Sequence, residues 1–217
     1  MASRSPLTTP LMCGLLALLT ACANAPPPRY AELPVSSRLQ ATASDTMPYS
    51  YAEPVRWRDY SAIIIEPVVI YGGADRQFGD LSENDKRELA DTMSTQFRLA
   101  LQTRFRLTDT MRPGTLRLRL TLTGAKGNTA VVSTVTRFDL VGLPYNAVQS
   151  LRGKEGIFMG SVSYSVEVYD AMSNQLLKAY LARQYPNAMN VGATFGALAA
   201  ARTGLEKGAN ELLTQLQ

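Results

Sequence analysis

The chain has 217 residues, 46% hydrophobic and 18% charged, an ordinary globular composition with length for one domain and a real core. Its 22 Lys and Arg against 18 Asp and Glu leave a formal charge of +4, too mild to name a partner. Histidine is absent, which removes Ser-His-Asp and Cys-His catalysis and every histidine-ligated metal.

The first segment reads as an address. A polar start whose only charge is Arg4 leads into an apolar run from Leu11 to Leu19. That run has signal-peptide length and falls well short of the roughly 20 residues that span a bilayer. Leu19-Thr20-Ala21-Cys22 follows directly. An aliphatic residue, two small residues and a cysteine form the pattern of a bacterial lipobox, in which the cysteine thiol takes diacylglycerol and the chain is cut between Ala21 and Cys22. Residues 1–21 are therefore expected to be a signal peptide and Cys22 the lipidated first residue of the mature chain. Several acyl chains, each contributing about 0.8 kcal/mol per buried methylene, give stable anchoring. Ala23 stands where an Asp would favour inner-membrane retention, so the expected destination is the outer membrane, facing the periplasm.

Cleavage takes Arg4 and Cys13 away, and lipid consumes the Cys22 sulfur. The mature chain then has charge +3, no free thiol, no disulfide and no zinc cluster. No Ser-x-x-Lys, GxGxxG or Walker loop is present; Gly153, Gly156 and Gly160 have the wrong spacing. A carboxylate pair is the enzyme chemistry that stays open. The expectation is a non-enzyme with no cofactor, no metal and no nucleic-acid partner.

Residues 22–47 are expected to form a lipidated tether, stiffened by Pro26-Pro27-Pro28 and then rich in Ser, Thr and Ala. A single globular domain is expected over residues 48–217. Ile63-Ile64-Ile65 and Val68-Val69-Ile70 predict a strand buried on both faces, with a bulge at Glu66-Pro67 because proline cannot donate to the ladder. Glu66 is a candidate carboxylate by position, but a solvent-facing residue at the bulge is the favoured reading. Ser82 with Asp85 opens a helix whose Leu89, Met93, Phe97, Ala100, Leu101 and Phe105 share one face. A short strand around Phe105–Thr108 closes a strand–helix–strand unit.

After Pro113-Gly114, Leu116, Leu118, Leu120 and Leu122 alternate with Arg117, Arg119, Thr121 and Thr123, the pattern of a half-buried strand. A second alternation runs through Phe158, Val162, Tyr164, Val166 and Val168. Asp170–Asn174 predicts a turn, and Leu176–Tyr185 a hairpin partner. Leu198, Leu205, Ala209, Leu212 and Leu216 predict a closing helix, weakened by Gly204 and Gly208. Residues 124–156 are too apolar for a plain loop and are left unassigned. The expected fold class is α+β: a mixed, mostly antiparallel sheet of four to six strands with two amphipathic helices packed on one face.

Arg104, Arg106, Arg112, Arg117 and Arg119 cluster in sequence with Asp109 as the only acid among them. Arginine forks suit phosphates and carboxylates, so Arg104, Arg106, Arg117 and Arg119 are candidate anion-binding residues. The favoured reading of the same residues is a solvated sheet face.

The segment Tyr51 to Tyr71, with Pro54, Trp57, Tyr60 and Ile-Ile-Ile-Glu-Pro-Val, resembles the start of a lipoprotein family known only as domain of unknown function 3313. Gly153-Lys-Glu-Gly156, Gly160-Ser-Val, Val168-Tyr-Asp170-Ala and the strand after Asn174 resemble its second half, so the likeness runs over about residues 35 to 215. The resemblance implies a Gram-negative envelope lipoprotein, names no activity and supplies no catalytic residues. The function expected is that of an accessory protein, anchored to the membrane by its lipid and binding another envelope protein; the alternative is a binder of lipid phosphate or peptidoglycan through the arginines. The oligomeric state is left open.

Overall fold

A computed structural model of the chain describes residues 28–127, 160–185 and 198–217. The expected signal peptide, Ala21 and Cys22 lie outside the described residues, as does most of the unassigned stretch 124–156.

Among the described residues eight strands form one mixed, open sheet: β1 (Gln40–Ala41), β2 (Tyr49–Ala52), β3 (Ala62–Ile65), β4 (Val69–Ile70), β5 (Arg106–Leu107), β6 (Thr115–Lys126), β7 (Ser161–Asp170) and β8 (Leu176–Gln184). Their order is β1-β2-β8-β7-β6-β3-β5, with β4 also on β6. Pairing is antiparallel from β1 through β6 and parallel among β6, β3, β4 and β5. The α+β class holds, with more strands than the four to six expected. The surplus comes from β1 and β2, short pieces that no alternation marks, and from the proline break that sets Val69–Ile70 apart as β4.

The β-branched run is interrupted as its proline requires. Ile65 pairs with Leu118 and Val69 with Thr121, so this side carries one residue more than β6 does. That extra residue makes a bulge at Glu66-Pro67.

Helix α1 (Glu83–Leu101) is capped by Ser82, whose Oγ accepts from the Asp85 N–H at 3.1 Å and donates to the Asp85 carboxylate at 2.8 Å. Leu89, Met93, Phe97 and Leu101 are all buried on the sheet. Helix α2 (Ala199–Gln215) lies beside α1 on the same face, with Leu205, Ala209 and Leu212 buried. The main core therefore joins both helices to Leu116, Leu118, Leu120 and Leu122 of β6 and to Val162, Tyr164, Val166 and Val168 of β7.

Gly204 and Gly208 weaken the helix locally for a packing reason. A Cβ on Gly208 would lie 1.6 Å from the Tyr164 hydroxyl oxygen, and one on Gly204 would lie 2.9 Å from Val162 Cγ1. The two glycines let α2 sit directly on β7.

The other face of the sheet is not the solvated surface that the alternation suggested. Thr121, Thr123, Ser161, Ser165 and Glu167 are buried there. The cover comes from the stretch expected to be tether. Tyr30, Leu33, Val35 and Leu39 pack with Tyr49, Tyr71, Tyr169, Leu176, Ala179 and Leu181 into a second, smaller core. The Tyr30 and Tyr71 rings meet edge to face at 5.4 Å. The Ala31 N–H donates to Asp75 Oδ2 at 3.1 Å, and the Tyr71 hydroxyl donates to Asp75 Oδ1 at 2.7 Å. Thr42, Ser44 and Thr46 belong to the connection between β1 and β2: Thr42 N–H donates to the Pro48 carbonyl at 2.9 Å, and Arg183 N–H to the Thr46 carbonyl at 2.9 Å. The folded domain thus includes residues 28–47, and its boundary moves toward the N-terminus.

Candidate functional site

The four candidate arginines do not form one surface. Arg104 donates to the carbonyls of Tyr60 at 3.1 Å and Trp57 at 2.8 Å, which braces the short 3-10 helix Trp57–Asp59. Arg106 is exposed on β5 and makes no ion pair among the described residues. Arg117 and Arg119 lie on neighbouring outward positions of β6, and the bulge residue Glu66 is set against both. Arg117 Nη1 reaches Glu66 Oε1 at 2.6 Å, and Arg119 Nε reaches Glu66 Oε2 at 2.9 Å. Arg117 also donates to the Asn174 side-chain carbonyl in the hairpin turn, and its guanidinium lies 4.5 Å from the Tyr169 ring centre.

Glu66 is therefore not a solvent-facing residue. Its side chain is 25% exposed, with Arg117 at 13% and Arg119 at 33%. Burial alone would raise its carboxyl, but hydrogen bonds and charge from Arg117 and Arg119 outweigh burial and hold it below the ordinary value. A second carboxylate sits deeper. Glu167 is fully buried on β7, takes a hydrogen bond from the Tyr169 hydroxyl and lies 4.0 Å from Arg119 Nη1. Its Oε1 has no hydrogen-bond partner among the described residues. Burial pushes this carboxyl up, and Tyr169 and Arg119 offset only part of the effect.

Two carboxylates pushed in opposite directions resemble an acid–base pair. Catalysis also needs room for a substrate, and neither cavity described below is lined by Glu66, Arg117, Arg119 or Glu167. The cluster is already internally paired: two guanidinium groups stand beside Glu66 and Glu167, with both forks engaged by Glu66. An incoming anion would have to displace that carboxylate.

The open feature lies at the other end of the sheet. A cleft of about 840 Å³ opens where β6 ends at Lys126 and β7 begins at Ser161. One wall is Pro28 and Tyr30, and another is the loop Arg76–Leu81 that leads into α1. Phe78, Leu81, Ala125, Leu181 and Ala182 supply apolar surface; Ser161 and Ser163 supply hydroxyls. Arg76, Lys126 and Arg183 bring positive charge, and Asp80 and Asp85 negative. Tyr30 itself has a left-handed backbone, φ 53°, unusual for a residue with a Cβ. A second cavity, about 110 Å³, is bounded by Ile63, Ile65, Arg98, Leu107, Thr108 and Asp109. None of the arginines singled out from sequence lines the cleft. Its residues come from a loop, three strand ends and the stretch expected to be tether, and no spacing in the sequence links them.

Among the described residues no group of His, Cys, Asp or Glu is placed to hold a metal ion, and no helix is long and apolar enough to cross a membrane.

Comparison with known families decides membership. The model of a family described as a protein of unknown function, DUF3313, matches residues 29–212. The chain belongs to that family. The match begins at Arg29, beside the first buried residue, Tyr30. No curated protein matches the chain. Solved structures similar to this DUF3313 chain include a PelC dodecamer from Paraburkholderia phytofirmans, 8% identical with a TM-score of 0.38 over 74% of this chain and 94% of that one. A DUF4136 family protein from Bacteroides thetaiotaomicron is 11% identical, with a TM-score of 0.36 over 79% of this chain and 96% of that one.

Proposed function

We propose that this DUF3313 chain is a lipid-anchored accessory protein of the cell envelope that acts by binding a protein partner rather than by catalysis, and that its domain stands close to the membrane. The observation that carries the reading is the burial of Tyr30 against Tyr71, so soon after the lipobox. Only residues 23–27 separate Cys22 from the folded domain, and at full extension that span reaches about 20 Å. The chain between lipid and domain is a short leash. The lack of histidine, together with the loss of both thiols on processing, supports a binding role. Ala23 supports an outer-membrane destination. Anion binding through Arg117 and Arg119 is the weaker reading, because Glu66 already occupies both.

Cell fractionation with palmitate labelling tests this. Wild type should label and sediment with outer membranes. Cys22→Ser should lose the label and accumulate as uncleaved precursor, and Ala23→Asp should shift the protein toward the inner-membrane fraction. Labelling that survives Cys22→Ser would refute the anchor.

A further inference from the structure

At the end of the sheet where β7 turns into β8, backbone hydrogen bonds draw four chain segments into one rim. The Ala171 N–H of the hairpin turn donates to the Thr115 carbonyl at 3.0 Å, and the Thr115 N–H donates to the Arg112 carbonyl at 3.1 Å. The Ser61 N–H donates to the Gly114 carbonyl at 3.0 Å, and the Arg106 N–H to the Ser61 carbonyl at 3.0 Å. A Cβ on Gly114 would stand 2.9 Å from the Asp59 carbonyl oxygen, so the short 3-10 helix that holds Arg58 abuts the same turn. Met111, Arg112, Met172, Arg58 and Arg106 therefore sit on neighbouring backbone.

The exposed side chains of this rim are of two kinds. Met111 and Met172 are the two most exposed large apolar side chains among the described residues, at 61% and 58%. Arg58, Arg106 and Arg112 are exposed as well, and none of them has an ion-pair partner among the described residues. The aspartates close by are mostly engaged: Asp59 pairs with Arg56 at 3.1 Å, and Asp170 accepts from the Ser173 N–H and the Tyr60 hydroxyl. Asp109, which borders the small cavity with Arg98, is the remaining acid. Methionine and arginine are enriched where proteins meet, the first because it repacks readily and the second because its fork takes carboxylates. An anionic sugar polymer or lipid head would take the arginines and leave both methionines in water. A second copy of the chain would set arginines against arginines.

We infer that this rim is the docking surface of the chain and that its partner is a protein presenting Asp and Glu carboxylates around an apolar patch, the carboxylates on Arg58, Arg106 and Arg112 and the patch on Met111 and Met172. That a protein partner exists rests on the reading above. The place of the rim agrees with the leash. Strand β6 runs 12 residues from Thr115 at the rim to Lys126, beside Pro28 and Tyr30 at the cleft. Roughly 35 Å of strand thus separates the rim from the end where the leash enters, which leaves it clear of the anchor.

Photo-cross-linking of the full chain in intact cells tests the surface. Benzoylphenylalanine is introduced at Met111 and at Met172, and at the exposed Arg87 of α1 and Gln40 of β1 as controls. Adducts from Met111 and Met172 are expected to join one and the same envelope protein, with little from Arg87 or Gln40. Mass spectrometry should map the joined peptide to a surface rich in Asp and Glu. Arg58→Glu with Arg106→Glu and Arg112→Glu should reduce the adducts by about tenfold or more, since like charges then face each other. The three are exposed, so the fold should tolerate the change; if it does not, Arg58→Gln with Arg106→Gln and Arg112→Gln reads the same loss. Adducts with a second copy of this chain, with lipid or with a glycan strand would overturn the surface. So would a joined peptide without acids, or a yield unmoved by charge reversal. Adducts as strong or stronger from Arg87 or Gln40 would also overturn it and leave the binding reading standing, whereas adducts from none of the four positions would overturn both.

Discussion

Glu66 holds together two guanidinium groups that come from 51 and 53 residues further along the chain. Glu66→Gln should leave Arg117 and Arg119 part-buried without their counter-charge, at a cost of about 1–3 kcal/mol, reduced by what solvent screens. Because the folded-state carboxyl is lowered, its stabilising effect is present above the ordinary 4.5 and is lost as pH falls through the lowered value. The difference between wild type and Glu66→Gln should therefore close in acid, and a gap unchanged at low pH would contradict the pairing. Glu167 has the opposite sign. Its carboxyl is raised, so the folded state is favoured below 4.5 and loses that advantage as pH rises through the raised value. Glu167→Gln should thus melt like wild type in acid and higher than wild type at pH 7; a lower melting temperature at pH 7 would show that Arg119 compensates Glu167 fully. Sequence reading marked Glu66 as a candidate carboxylate at a break in a β-branched run and favoured a solvent-facing position for it. Its partners become visible through the parallel register of β3 with β6, which no local pattern encodes.

Helix α2 depends on absent side chains. Gly208→Ala should gain up to about 1 kcal/mol of helix propensity and still destabilise the protein, because the new methyl meets the Tyr164 hydroxyl at 1.6 Å. Tyr164→Phe in the same chain should restore much of the loss, and a double-mutant cycle in chemical denaturation reads the coupling. Additive effects would mean that α2 is not seated on β7. Sequence patterning located α1, its Ser82 cap, the leucine face of β6, the β7–β8 hairpin and the bulge at Glu66-Pro67, because each is written in local spacing. It missed β1 and β2, which are short, and it misread the outward face of β6 and β7. Thr, Ser and Arg look like solvent-facing residues until a second layer covers them, and that layer is far away in sequence.

At the scale of the molecule, the sheet is enclosed on both sides by different means: two helices on one face and the N-terminal stretch on the other. The latter is held by Tyr30, Leu33, Val35 and Leu39 and by the grip of Asp75 on Ala31 and Tyr71. Proline at its start and Ser and Thr at its end give it the composition of a linker, which hid the apolar residues between. Leu33→Ser with Val35→Ser should lower the melting temperature by several degrees, as loss of buried side chains does; an unchanged value would return the stretch to a tether. A domain that starts at residue 28 rather than 48 also sets how near the membrane it stands, provided that Cys22 carries the lipid. The mass of the intact protein extracted from membranes measures that directly. The expected chain has lost residues 1–21, and its N-terminal peptide begins at Cys22 with diacylglycerol attached. A chain cut elsewhere, or an unmodified Cys22, would contradict the anchor.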